Sequence, residues 1–110
     1  MDLRVLQYFL AVAREQSISA AAEALHLSQP TLSIQLKALE QELGKQLLIR
    51  RTKGSRKVTL TEEGMILRKR AEEILELVRI TEKEISVSEE AVAGDVTIGA
   101  GESDMIRIFA

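Results

Sequence analysis

The run SISAAAEALHLSQPTLSIQLKALEQELG, Ser17 to Gly44, limits this chain more than any other stretch. A small-residue segment is followed by a tight turn at His26–Leu27–Ser28 and then by a longer amphipathic segment. Two short helices joined by such a turn are one way a small protein offers a helix to the DNA major groove. Ser17 or Ser19 caps the first helix, which buries Ile18, Ala21, Ala22 and Leu25. Ser28 caps the second, Pro30 sits where a first helical turn tolerates it, and Gly44 stops it.

An angular layout of the second helix divides it sharply. Leu32, Leu36, Leu39 and Leu43 make one stripe, the expected core side. Pro30, Ile34, Lys37 and Gln41 point the opposite way, with Ser33 beside them and Gln29 and Thr31 near the helix start. This outer face is mostly polar and uncharged or basic, the chemistry that touches phosphates and base edges.

The flanks complete the pattern. Leu6, Phe9, Leu10 and Ala13 share one face of a helix over residues 3–15. Ala11–Val12–Ala13 imitates a signal-peptidase site, but Asp2, Gln7 and the single basic Arg4 oppose a leader peptide. Beyond Gly44, Leu47–Leu48–Ile49 and Val58–Thr59–Leu60 enclose RRTKGSRK, a basic tip containing one glycine. Two short strands around such a tip form a β-hairpin, and a basic hairpin beside a helix-turn-helix is the form of a winged helix.

Thr61 caps a further helix, with Glu62 and Glu63 at its positive end. Leu67, Ala71, Ile74, Val78 and Ile85 form its heptad seam, interrupted by Thr81. Running to residue 91, the helix would be about 45 Å long. A lone helix of that length cannot bury its seam, so a second copy is the expected partner. From Gly94, the run GDVTIGA alternates like a strand, and Ser103 caps the start of another element.

Charge is unevenly spread. Residues 1–61 hold nine Lys and Arg against five Asp and Glu, whereas residues 62–110 hold six against twelve. The front half suits a polyanion and the back half is repelled by one. The chain has no cysteine, which excludes disulfides and thiolate metal sites and agrees with a cytoplasmic location. Its longest apolar run, Tyr8 to Ala13, falls far short of the roughly 20 residues a membrane span needs. His26 is the only histidine and has no companion ligands nearby, so it is a turn residue and no metal is expected. With no nucleophile–base pair and no Gly-rich phosphate loop, the chain is not expected to be an enzyme.

The stretch from Phe9 to Gly64 closely resembles the DNA-binding domain of the LysR-type transcriptional regulators. FLAVAREQSISAAAEALHLSQPTLSIQLKALEQELGKQLLIR and, after the hairpin, VTLTEEG carry the likeness in the family's order and spacing. With the long helix and GDVTIGA it covers nearly the whole chain. The resemblance implies a mainly α architecture. A winged helix-turn-helix (1–60) leads into a dimerising linker helix (61–91) and the first strand of an α/β effector-binding domain (92–110). Most of that domain is missing, so the chain is expected to be a fragment, with no cofactor of its own and a small-molecule effector for the absent part.

By position, Gln29, Pro30, Ser33 and Ile34 resemble the family's base-facing residues, and Ser28, Thr31 and Lys37 its phosphate contacts. Arg51, Lys53, Arg56 and Lys57 lie on the wing, which in the family reaches the minor groove; the tip is longer here than is usual. Residue 34 is often Arg in the family, and Ile there exchanges a contact to guanine for one suited to a thymine methyl. The implied partners are double-stranded operator DNA and a second copy of the chain, with tetramers in a full-length protein and no membrane. A winged-helix module that binds proteins is the alternative; the basic wing and polar helix face oppose it.

Overall fold

Serine, aspartate and glycine caps set the helix limits. In this computed structural model, which describes residues 1–50 and 57–94 with side chains through Val87, the order is α1 (Leu3–Glu15), α2 (Ile18–Leu25), α3 (Gln29–Leu43), β1 (Leu48–Ile49), β2 (Thr59–Leu60) and α4 (Glu62–Gly94). Asp2 accepts from the Arg4 amide at 2.7 Å and Ser17 from the Ala20 amide at 3.0 Å, each satisfying a donor that a helix start leaves open. Ser17, not Ser19, is therefore the cap of α2. Gln16 (φ 57°), His26 (φ 60°) and Gly44 (φ 70°) end α1, α2 and α3 in left-handed conformation. His26 thus has the turn role expected of it, its amide donating back to the end of α2.

Contacts divide the chain into two units, Met1–Leu75 and Glu76–Ala110. In the first, α1, α2 and α3 pack on one another around Leu6, Phe9, Val12, Leu32 and Leu36, all essentially inaccessible. Ala21 and Ala22 are buried, and their small side chains let α2 sit close to its neighbours. Ile18 and Leu25 are half-buried and pack on the rim of this core. Leu43 departs from the expected stripe and is 40% exposed; Leu39 is the last residue of α3 in the packed cluster.

The hairpin ladder is shorter than the alternating sequence suggests. Leu48 pairs with Leu60 and Ile49 with Thr59, antiparallel. Leu47 and Val58 are buried but stand outside the ladder, and their amides serve other elements. The Val58 amide donates to the Gln16 carbonyl at 3.0 Å, and the Leu47 amide to the Glu40 side chain at 2.7 Å. A ladder this short is marginal alone; these ties to α1 and α3 hold it against the domain. The tip, residues 51–56, and GDVTIGA beyond Gly94 lie outside the described residues.

The entry to α4 is equally well anchored. The Thr61 hydroxyl donates to the Gln46 carbonyl at 2.7 Å and accepts from the Gly64 amide at 3.0 Å. The Thr61 amide donates to the Leu47 carbonyl at 3.0 Å. Gly64 is pressed onto that same carbonyl: a Cβ there would lie 2.2 Å from its oxygen. The expected dimer seam needs correction here. Leu67 is 9% exposed and Ala71 fully buried, and both belong to the core of the first unit, with Ile74 packed against it. Leu67 and Ala71 satisfy their apolar surface within their own domain and are not open to a partner, whereas Ile74 is half-buried.

In the second unit α4 continues to Gly94. Leu77 is 63% exposed, and Ile80, Ile85 and Val87 are exposed as well. Arg79 bonds Glu76 one turn before it at 2.6 Å, a hydrogen bond that holds the Glu76 carboxyl below its ordinary range. Among the described residues, no helix is long and apolar enough to cross a membrane.

Gly64→Ala should destabilise the first unit by about 1–3 kcal/mol, because backbone rather than a flexible side chain must move. Chemical denaturation followed by circular dichroism checks this, and an unchanged midpoint would contradict the close packing of α4 on Leu47.

Candidate nucleic-acid interface

Burial of Leu32, Leu36 and Leu39 fixes the rotation of α3 and turns its other side to solvent. Gln29, Pro30, Ile34, Lys37 and Gln41 are exposed there and Ser33 is half-buried beside them. Ile34 is the prominent member, 66% exposed although branched and apolar. The four residues expected to face bases are thus brought together on the first half of one helix.

Ser28 is an exposed residue with two local tasks. Its Oγ accepts from the Thr31 amide at 3.2 Å, capping α3, and donates to the Thr31 hydroxyl oxygen at 2.8 Å. Thr31 and Lys37 are exposed on either side of the apolar Ile34. The carboxylates of α3 are engaged by cations: Glu42 pairs with the Met1 ammonium, and Glu40 with Arg50 at 3.2 Å. Lys37, near the middle of the helix, is the basic side chain that α3 presents on its outer face.

Of the expected wing cations, Lys57 is exposed just before β2. Arg51, Lys53 and Arg56 lie outside the described residues. Arg50, read in the sequence as the first basic residue of the tip, is drawn inward to Glu40. Glu40 itself is a functional candidate that sequence reasoning passed over. Its signal was its place in the i, i+4 row Leu32–Leu36–Glu40, where a carboxylate ends an apolar series and needs partners.

A three-helix core, a two-stranded hairpin and an outward polar face on the last core helix define a winged helix-turn-helix protein. Residues 3–65 match the family model described as "Bacterial regulatory helix-turn-helix protein, lysR family". The chain is 46% identical over 100 residues to the HTH-type transcriptional regulator BsdA of Bacillus subtilis strain 168, an overlap covering 91% of this chain and 34% of that protein. Among solved structures it is similar to the BenM_DBD/catB site 1 DNA complex, with 41% identity and TM-score 0.69 across 87% of this chain and 100% of that one. It is likewise similar to the CbnR_DBD–DNA complex, with 38% identity and TM-score 0.75 across 81% of this chain and 99% of that one. The chain belongs to the LysR family of bacterial regulatory proteins. It spans about a third of the length of the curated relatives it matches first.

Ser28→Ala should cost about 1 kcal/mol through the lost cap. Denaturant titration measures this, and a loss below a few tenths would show that Ser28 does not hold the start of α3.

Proposed function

We propose that this chain is the operator-binding and dimerising part of a transcriptional regulator, reading double-stranded DNA through the outer face of α3. The observation that carries the proposal is the pairing of a fully buried leucine row with an exposed face of Gln29, Pro30, Ser33, Ile34 and Lys37 on one helix. Gln29 and Ser33 supply hydrogen-bonding groups for base edges, and Ile34 an apolar contact for a thymine methyl. Ser28, Thr31 and Lys37 contact phosphate and fix the register without reading sequence. The wing, with Arg51, Lys53, Arg56 and Lys57, tracks the adjacent minor groove.

A second copy docks along the distal part of α4. Leu77, Ile80, Ile85 and Val87 are exposed there, beside half-buried Val78. These residues take over the role that Leu67 and Ala71 cannot play. Two copies place two α3 helices at half-sites about one helical turn apart. In a full-length protein a small effector adjusts that arrangement and dimers pair into tetramers. The setting is the cytoplasm, and the role is regulatory rather than catalytic.

Enrichment of duplexes from a random pool should yield a two-half-site sequence. Ile34→Arg should shift the preferred base at one position per half-site while changing affinity for random DNA by less than about tenfold. An identical enriched sequence for both chains would refute base contact by residue 34. Leu77→Glu should convert the micromolar dimer to monomer in sedimentation; a monomeric unaltered chain, or an unaffected variant, would refute this dimer face.

A further inference from the structure

The strand pair is too short to fix its own position, so whatever ties it to α3 determines where the wing stands. Glu40 makes such a tie. Its Oε2 accepts from the Leu47 amide at 2.7 Å and from the Leu48 amide at 3.1 Å, and its Oε1 accepts from Arg50 Nη1 at 3.2 Å. The side chain is only 12% exposed. A shielded carboxylate accepting from backbone amides and a guanidinium makes charge-assisted bonds, roughly twice as strong as neutral ones. All three bonds run from one residue of the proposed reading helix to the entry, body and exit of β1.

We propose that Glu40 is a positioning residue for DNA recognition: it sets the wing strands at a fixed offset from α3, so that wing and helix engage adjacent grooves together. The proposal rests on the DNA-binding reading given above. Thr61 completes the clamp from the other side, because its amide and hydroxyl hold the carbonyls of Leu47 and Gln46. β1 is thereby held between α3 and the start of α4. Arg50 acts as a strut at the wing base. A neutral or shorter side chain at 40 leaves the α3 face intact and lets the hairpin drift.

The test uses the 110-residue chain and the duplex that it enriches from a random pool. Glu40→Gln removes the charge, and Glu40→Asp keeps the charge but shortens its reach. Each is read by thermal melting, by methylation interference at guanine N7 in the major groove, and by hydroxyl-radical protection of the sugars. For both variants the melt should stay cooperative and the N7 pattern unchanged, while sugar protection flanking each half-site is lost. Affinity for the enriched duplex should fall about tenfold, with Glu40→Asp the milder. Flanking protection equal to that of the unaltered chain would overturn the positioning role. Loss of a cooperative melt in both variants would also overturn it, since Glu40 would then hold the fold and not the wing. If the unaltered chain itself leaves the flanking sugars unprotected, the wing reading fails and this proposal with it.

Discussion

One side of α3 is packed away from solvent, and that packing aims the other side. Leu32, Leu36 and Leu39 are almost completely removed from water against α1 and α2. Removing three leucines from water stabilises the domain by several kcal/mol, at about 1.5–3 kcal/mol per side chain. That energy sets the rotation of α3 and leaves no freedom over which residues face outward. The polar groups of the other face, with Ile34 among them, are held in place by apolar contacts on the far side of the same helix.

The segment 46–48 is the second organising point. Its amides and carbonyls are shared among Glu40 of α3, Thr61 at the start of α4, and the short ladder. Gly64 approaches the Leu47 carbonyl more closely than any residue with a Cβ can. α3, the hairpin and the start of α4 therefore meet on three consecutive residues. The ties are the Glu40 carboxylate and the Thr61 hydroxyl on backbone groups, together with the Thr61 amide on the Leu47 carbonyl.

Most of this architecture was legible in the sequence, because local chemistry marks helix ends. Ser28, Pro30 and Gly44 delimit α3 by capping and by φ preference, and periodicity then separates its two faces. What periodicity does not reveal is which apolar stripe of a long helix is used at home. The heptad positions Leu67 and Ala71 read as part of a seam for a partner, yet they belong to the core of the first unit. Nor does spacing show that Arg50 turns inward: its partner Glu40 lies ten residues away, and the pairing depends on how the chain folds back after Gly44. Leu43 failed for a related reason, since a stripe is buried only as far as there is something to pack against it.

DNA reading by the outer face of α3 can be measured by titrating the isotopically labelled chain with its enriched duplex and following amide chemical shifts. The earliest and largest changes should fall on Gln29, Ser33, Ile34 and Lys37, with smaller ones near Lys57. Changes confined to α1 or to the distal part of α4, with α3 unmoved, would contradict it.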